Sequence, residues 1–511
     1  MFSARGRHDG APAMTQGSIK SIVIVGGGAA GWMTALALSR MAPPALRSVV
    51  LVESPEIGTI GVGEATLPTI RSFNAWAGLD EAAIVRASHA TFKLGIEFRG
   101  WRGDGGAFFH GFGDYGPDIA GLAPYHQIVR LGLAGSLGDF SLPTVAARVG
   151  RFAPPAGREG TLAASYSYAY HFDAGLYAAH LREVAIAAGT LHVQGRVDHV
   201  AVNGESGLIE NVRLDDGRTI AGDLFIDCSG FRALLIGGAL GAAFENWSHW
   251  LPTDRAWVVP CAGGGEITPF TRATATTAGW RWRIPLQHRI GNGQVYASGF
   301  QDDEAALSNL LAGLERAPFA EPRLLRFRAG HRRRFWSGNC VAIGLSGGFL
   351  EPLESTSIHL IERGIGFLIE RFPSTGFDPA LARDYDRLMT QAFASIRDFI
   401  ILHYRLNRRT EPFWRMMRDQ PIPDALAHQI ELFVETGEIA INDPRSFAAP
   451  SWAAILFGMG LVPRHYHPLA DREPREAVAA HLGRGRRMIA DLVAAMPLHR
   501  RFVSRFAGEG A

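Results

Sequence analysis

The stretch SIVIVGGGAAG, residues 21–31, decides the predicted fold of this chain. Its first five residues are a short apolar, β-branched run that predicts a buried strand, and residues 32–39 predict a helix. Between them, Gly26, Gly28 and Gly31 have the GxGxxG spacing. The first glycine permits a tight turn, the second lets the backbone approach a pyrophosphate, and the third lets the helix pack closely on the strand. The stretch therefore predicts a dinucleotide-binding turn.

A second predicted strand, residues 47–52, completes a βαβ unit and indicates an α/β fold with a parallel sheet. It ends at Glu53, where an acid accepts hydrogen bonds from ribose hydroxyls. The alternative is a glycine-rich turn that binds no nucleotide. We favour the nucleotide site because strand, turn, helix and acid occur together. The predicted cofactor contacts of this unit are Gly26, Gly28, Ala29, Ala30, Gly31 and Glu53.

Hydrophobic periodicity predicts regular elements along the rest of the chain. Residues 54–70 are rich in Gly, Thr and Pro and predict a loop that enters a helix. Beyond about residue 380 the pattern is mainly helical. The elements between are a helix at 171–188, strands at 191–202, 208–213 and 219–226, antiparallel sheet at 255–300, a strand at 340–345 and a helix at 357–370.

Three regions are predicted. Residues 1–19 are polar and small and lack the apolar run of a signal peptide, so we expect a disordered leader. Residues 20–400 form the cofactor-binding core, and residues 401–511 form a helical C-terminal region on the substrate side. Within the core, residues 103–165 are rich in Gly and Pro and predict an irregular insertion over an active site, because long unstructured loops are usually functional.

The composition excludes several kinds of protein. The formal net charge is only +2, which gives no support for a nucleic-acid or anionic-membrane partner. No run of 18 apolar residues occurs, so we expect no membrane span. The three cysteines are far apart and form no CxxC pair, which argues against a disulfide scaffold and against a metal site. We expect a cytoplasmic protein.

Lysine is rare in this chain. Lys20 and Lys93 are the only lysines among 51 basic residues, and codon bias in a GC-rich genome explains the excess of arginine. A lysine kept well inside such a chain still suggests a role that arginine cannot fill, because arginine does not lose its proton in proteins. The alternative for Lys93 is an ion-pair lysine.

Several motifs outside the first βαβ unit point to one chemistry. They are GVGEAT at 61–66, FKLGIEF at 92–98, YHFD at 170–173, DLFIDCSGFR at 223–232, WRWRIP at 280–285 and EPLEST at 351–356. Together with GGGAAGW at 26–32, they resemble the flavin-dependent tryptophan halogenase family from about residue 20 to about residue 420, and WxWxIP is that family's most specific mark. The 223–230 and 341–344 segments also resemble FAD enzymes, which favours FAD over NAD.

The resemblance implies a Rossmann-like FAD-binding fold of the flavin monooxygenase type, with a mainly helical C-terminal substrate-side region. It implies that FADH2, O2 and chloride or bromide give hypohalous acid, which Lys93 presents to an indole-type aromatic ring. A separate flavin reductase would supply the FADH2. Glu354 would orient the electrophile and stabilise the cationic ring or take its proton. Its alternative role is that of an acid at a helix N-terminus.

The resemblance also assigns the remaining site residues. Thr356 and Ser357 would bind the halide through backbone N–H groups near a helix start, although the family usually has glycine at the position of Ser357. Trp280 and Trp282 share one side of a strand and would keep the substrate away from the flavin; the alternative is a pair of core tryptophans. The substrate contacts would be His110 and Phe112, in the loop after Lys93, together with Ser355 and Trp452. Further cofactor contacts would be Glu64, Ala65, Val197, Leu345 and Ile358.

The substrate and two other functions stay open. The C-terminal region lacks the Tyr-rich run with an acid that would hold the amino and carboxylate groups of tryptophan, so tryptophan, free indole and an indole derivative all stay open. An FAD-dependent aromatic monooxygenase would share the fold but would not need Lys93 or a halide loop. A non-catalytic flavoprotein would need neither. A homodimer is also open.

Overall fold

The computed structural model describes residues 17–41, 43–55, 63–264 and 266–508. Residues 1–16 of the predicted leader therefore lie outside the described residues, and so do Gly61 and Val62 of the GVGEAT motif. Residues 17–19 differ from the predicted disordered leader. Ser18 forms a β-bridge with Ser374, and Ile19 is buried in the hydrophobic core.

Strands occur from the start of the described chain to residue 349, and α-helices dominate after it. The strands are β1 Ser21–Val25, β2 Ser48–Glu53, β3 Gly63–Ala65, β4 Thr91–Lys93, β5 Gly95–Arg99, β6 Ala107–Gly111, β7 Ala169–Asp173, β8 Leu191–Gln194, β9 Val197–Val202, β10 Ile209–Leu214, β11 Thr219–Ala221, β12 Leu224–Asp227, β13 Phe244–Asn246, β14 Arg255–Ala262, β15 Thr271–Thr276, β16 Gly279–Pro285, β17 Arg289–Tyr296, β18 Arg323–Arg326, β19 Gly330–Arg332, β20 Trp336–Ser337, β21 Cys340–Ala342 and β22 Gly348–Phe349. The helices are α1 Ala29–Met41, α2 Thr69–Trp76, α3 Glu81–Ala87, α4 Pro124–Arg130, α5 Leu142–Arg148, α6 Ala174–Ala187, α7 Asp303–Ala312, α8 Ser357–Glu370, α9 Pro379–Arg405, α10 Pro412–Asp419, α11 Asp424–Thr436, α12 Ala449–Gly458, α13 Arg475–Ala495 and α14 His499–Ala507.

The first sheet has the strand order β20-β21-β12-β1-β2-β8, and its strands are parallel except for β20. β1 lies inside the sheet, and Ile22, Val23 and Ile24 are fully buried, as expected for a parallel strand covered on both faces. The turn after β1 leads directly into α1. The predicted βαβ unit and its parallel sheet are therefore confirmed.

The second sheet has seven strands in the order β18-β14-β17-β16-β15-β5-β6. Its pairs are antiparallel except for β15 with β5, which confirms the antiparallel sheet predicted at 255–300. β16 carries Trp280 and Trp282, and β6 carries His110. His110 therefore lies in a strand and not in the predicted loop, because residues 107–111 pair along their whole length with β5.

A small third sheet, β3-β7-β4, carries Lys93 at the end of β4. The helix predicted from residue 171 begins only at Ala174. Residues 169–173 instead form β7, which pairs with both β3 and β4. Asp173 caps α6, since its carboxylate accepts from the N–H groups of Gly175 and Leu176. The predicted strands at 191–202 and 219–226 are each divided into two strands that belong to different sheets.

The prediction that residues 103–165 are irregular was wrong. This region contains β6, α4 and α5, and a 3₁₀ segment at Ala134–Phe140. Short helices that begin at Pro124 and Leu142 leave little room for a periodic pattern, so the Gly and Pro content dominated the sequence signal.

The mainly helical C-terminal region is confirmed, and α8 spans the predicted residues 357–370. α9 runs through the predicted boundary at residue 400, and one hydrophobic core includes Trp32, Trp280 and Trp414, so no break separates the two regions there. In the described ranges no helix is long and apolar enough to cross a membrane. The same residues contain no cluster of potential metal ligands.

Candidate active site

A groove follows the carboxyl ends of the parallel strands, where nucleotides bind in open α/β sheets. Two adjacent cavities, of about 330 and 250 Å³, make up this groove. They share Cys228, Gly230, Phe231 and Leu345. The first cavity is lined at the β1–α1 turn by Gly26 and by Glu53 and Val197; the second is lined by Ala29, Ala30, Glu64, Ala65 and Ile358. The structure thus brings these predicted cofactor contacts together along one groove.

The glycine turn fits the backbone role predicted for it. Gly26 has φ +123°, and a Cβ there would lie 2.1 Å from the Cys228 carbonyl oxygen. A Cβ at Gly31 would lie 1.8 Å from the Gly26 carbonyl oxygen, so this glycine allows the helix to pack on the turn. A Cβ at Gly28 would meet no atom within 4 Å. The packing of the chain therefore does not itself require glycine at position 28, and Gly28 stays a predicted cofactor contact.

These contacts predict opposite outcomes for two alanine substitutions. We expect Gly28→Ala to weaken FAD binding at least about tenfold, with the Tm of the FAD-free protein unchanged, because the added methyl group meets only the ligand. Gly31→Ala should lower the Tm of the FAD-free protein, because its Cβ meets backbone. Flavin fluorescence titration and thermal unfolding measure the two effects. Equal FAD affinity in Gly28→Ala and the wild type would contradict the assignment of the turn.

The two tryptophans of the WxWxIP motif line the second cavity of the groove. Trp280 and Trp282 are buried on one side of β16, with ring centroids 6.0 Å apart. The Trp280 indole N–H donates to Glu351 at 3.0 Å, and the Tyr404 hydroxyl donates to the same carboxylate at 2.6 Å. This buried carboxylate fixes the orientation of Trp280. The predicted shared side of the strand is confirmed.

Lys93 is fully buried next to this second cavity. Its Nζ donates to the Thr66 carbonyl and to Ser355 Oγ, each at 3.0 Å. Ser355 also lines the second cavity, so this one residue lies between the Lys93 amine and the groove. Burial lowers the pKa of Lys93 from its ordinary 10.5 to about 7, although the nearby Glu354 carboxylate opposes this change. Both protonation states of the amine are therefore available near neutral pH.

Because the pKa of the buried Lys93 amine is lowered, replacing this lysine should stabilise the folded protein, by an amount that depends on pH. Between pH 7 and 10.5 the unfolded chain holds a proton on Lys93 that the folded chain lacks, so folding stability rises with pH over that window. We expect Lys93→Met to raise the Tm at pH 7 by the equivalent of a few kcal/mol, and this gain to shrink toward pH 10. The exposed Lys20, changed to Met, is the control and should show no such trend. A gain that does not vary with pH would contradict a neutral buried amine.

Glu354 lies on the other side of Ser355 and is bound by two imidazoles. His110 Nδ1 is 3.0 Å from Oε2, and His403 Nε2 is 2.9 Å from Oε1. Burial raises the pKa of this carboxyl, but the two histidines outweigh it and bring the pKa to about 2. Glu354 is thus held within a buried cluster with His110 and His403.

His403 was missed in the sequence. It lies on α9, 49 residues after Glu354, and no local pattern distinguishes it from other histidines in helices. Phe399, one helical turn earlier, was missed for the same reason. Which side chains of a helix face the site can be seen only when the neighbouring strands are placed against that helix.

The predicted halide site is at the start of α8. Thr356 precedes the helix and Ser357 is its first residue, and the first N–H groups of a helix have no partner within it. Ser357 lines the groove. The residue with positive φ in this loop is Ser355, at +61°, whereas Ser357 does not belong to the positive-φ residues. The substitution of the usual glycine by Ser357 therefore costs no backbone strain.

An aromatic cluster forms around His110, and it contains three of the four predicted substrate contacts: His110, Phe112 and Trp452. The Phe112 ring lies 5.9 Å from the His110 ring and 5.1 Å from Lys93 Nζ. Phe447 lies 6.2 Å from His110 and stacks on Phe399 at 4.0 Å. Trp452 is buried behind them, 5.2 Å from Phe399. Ser355, the other predicted contact, lies between the cluster and the groove. Phe447 is therefore closer to His110 than Trp452 is.

Comparison with known proteins decides the family. The sequence model described as "Tryptophan halogenase" matches residues 21–475. The chain belongs to the tryptophan halogenase family. The chain is 37% identical over 477 residues to the tryptophan 6-halogenase SttH from Streptomyces toxytricini, covering 86% of this chain and 89% of the relative. This halogenase is therefore a flavin-dependent enzyme.

Solved structures agree with this membership. BrvH, a flavin-dependent halogenase from Brevundimonas sp. BAL3, is 44% identical, with a TM-score of 0.91 over 96% of this chain and 99% of that one. A flavin-dependent halogenase from Xanthomonas campestris is 43% identical, with a TM-score of 0.92 over 96% and 98%. The predicted Rossmann-like FAD-binding fold of this halogenase is confirmed.

Proposed function

We propose that this halogenase uses FADH2, O2 and chloride or bromide to halogenate an indole-type aromatic ring through Lys93. The observation that carries the proposal is the position of Lys93, whose amine binds Ser355 on the flavin side and lies 5.1 Å from the Phe112 ring on the other side. The bound flavin, once reduced, supplies hypohalous acid from O2 and the halide. The site residues of this chain then deliver it and exclude other reactions.

Lys93 delivers the electrophile. Two of its donors are used by Thr66 and Ser355, so the neutral amine keeps its lone pair for the oxidised halogen. With a pKa of about 7, a large fraction of the amine is neutral at physiological pH. Arginine would remain protonated and could only donate a hydrogen bond.

Glu354 orients the electrophile and stabilises the cationic ring. A preorganised charge in a buried site interacts strongly with charge that develops in the transition state, because no water screens it. Its two imidazole partners hold the carboxylate in place. The N–H groups of Thr356 and Ser357 would hold the halide on the flavin side, and Trp280 and Trp282 would keep the aromatic substrate away from the flavin.

The substrate is an aromatic ring that enters the cluster of His110, Phe112 and Phe447, with Trp452 behind them. Tryptophan, free indole and an indole derivative fit this chemistry. A free amino acid also needs partners for its ammonium and carboxylate, because burying an unpaired charge is costly. The aromatic cluster provides stacking surface, and we propose that ring recognition dominates binding.

The test is a halogenation assay with the full enzyme. FAD, a separate flavin reductase, NADH and O2 are supplied with indole or tryptophan in bromide or chloride, and mass spectrometry detects the halogen isotope pattern. We expect halogenated product only when halide is present. Product that carries oxygen and no halogen would support an aromatic monooxygenase instead. Unchanged substrate in every mixture, despite bound FAD, would support a non-catalytic flavoprotein.

A further inference from the structure

His403 is fully buried beside Glu354, and its hydrogen bonds restrict its protonation state. Nδ1 lies 2.7 Å from the Phe399 carbonyl oxygen. A carbonyl only accepts, so Nδ1 carries a hydrogen. Nε2 lies 2.9 Å from Glu354 Oε1. Either a protonated Glu354 donates to a neutral His403, or a doubly protonated His403 donates to the Glu354 carboxylate.

The second imidazole favours the ionised carboxylate. His110 Nδ1 is within 3.0 Å of Oε2 and 3.2 Å of Oε1, and its Nε2 has no partner among the residues that the structure describes. The hydrogen of a neutral His110 is therefore best used at Nδ1, as a donor to Glu354. A carboxylate accepts both imidazole N–H groups, and bonds to a charged acceptor are the stronger ones.

The rings around His403 favour a cation. Its imidazole centroid is 5.0 Å from Phe98, 5.2 Å from Phe399 and 6.1 Å from Trp101. Aromatic rings stabilise a nearby cation when water is excluded. Among the residues that the structure describes, His110 and Lys93 also interact with Glu354 through their charge. A buried positive charge on His403 thus has both an anion and aromatic rings as partners, which is the condition under which buried charge is tolerated.

We infer that His403 is a positioning residue that remains doubly protonated and holds Glu354 as a permanent anion during halogenation. The inference rests on the proposed function for its catalytic consequence and deepens it. A carboxylate paired in this way is a weak base, so Glu354 acts on the cationic ring through its charge. The ring proton passes instead to the Lys93 nitrogen, which gives up the halogen as the carbon–halogen bond forms and is left with a free lone pair. The protonation states themselves can be measured whether or not the enzyme halogenates indole.

Infrared spectroscopy of the full enzyme tests the protonation states directly. A carboxylic-acid C=O band is assigned to Glu354 if it disappears when Glu354→Gln is added to the same background, either wild type or His403→Gln. We expect this band to be absent from the wild type between pH 5 and 8, and to appear in His403→Gln, which keeps a donor but not the charge. A Glu354 acid band in the wild type would overturn the inference. So would its absence from a folded His403→Gln at pH 5.

Nitrogen NMR and a mutant cycle keep the test decisive if His403→Gln folds poorly. In wild-type enzyme labelled with ¹⁵N-histidine, both nitrogens of His403 should carry hydrogen, and one bare nitrogen overturns the inference. If His403 acts through Glu354, adding His403→Gln to Glu354→Gln should reduce halogenation by less than about threefold further. If the activity losses of the two single variants multiply fully in the double variant, His403 has a role that is separate from Glu354. If both His403 nitrogens carry hydrogen but the wild type does not halogenate, the proposed function is rejected and the assigned protonation state stands.

Discussion

Replacement of Lys93 by Met is expected to reduce halogenated product by about 1,000-fold or more while oxidation of FADH2 continues. In the described chain, the Lys93 amine is the only lysine nitrogen buried between the groove and the aromatic cluster. Positioned proton-transfer or nucleophilic groups typically contribute factors of about 10² to 10⁴ to the reaction rate. Met fills a similar volume without an amine and without an N–H donor. Product is measured by mass spectrometry and flavin oxidation by absorbance in the same mixture.

The controls for Lys93→Met separate delivery from folding. Lys20→Met, on the exposed surface, should retain the parent rate. Lys93→Arg keeps a hydrogen-bond donor but stays protonated, so it should remain nearly inactive if the neutral amine delivers the halogen. For the same reason the wild-type rate should rise as the pH passes about 7. Halogenation at the parent rate in Lys93→Met would remove the central residue of the proposed function.

The part of the fold that could be predicted from the sequence is the part that depends on local geometry. The strand, turn and helix at 21–41 are indicated by neighbouring residues alone: an apolar run, and glycines at the GxGxxG spacing, of which Gly31 packs against the Gly26 carbonyl. The same holds for α8, which begins at Ser357 after an irregular loop. Residues 171–173 were wrongly assigned to a helix, because they form a strand whose partners, residues 63–65 and Thr91, are far away in the sequence.

The candidate site shows the same limit. Lys93 stood out because lysine is rare, and Glu354 because of its motif, and the structure places both next to Ser355. The partners that determine their pKa values could not be predicted. His403 reaches Glu354 only because α9 places it beside Phe98 of β5 and the loop before α8. The chemistry of a buried charge depends on such long-range neighbours, and a single sequence does not reveal them.

Replacement of Glu354 by Gln is expected to reduce halogenation about 100- to 1,000-fold without reducing FAD binding. Gln has the same shape but no charge, and loss of one preorganised electrostatic contact in a buried site commonly costs this much. Because the pKa of Glu354 is about 2, the wild-type rate should not fall through protonation of this group above pH 4. Steady-state rates between pH 5 and 8, with flavin titration alongside, measure both effects.

Glu362 on α8 provides the matched control for Glu354→Gln. It is a largely buried glutamate, but desolvation raises its pKa to about 8, so it is mainly uncharged at pH 7. Glu362→Gln replaces one neutral group by another and should leave the rate close to that of the wild type. If both variants lose activity equally, the loss in Glu354→Gln reflects disturbed packing around α8. If only Glu354→Gln loses activity, a carboxylate charge next to the aromatic cluster is required for halogenation.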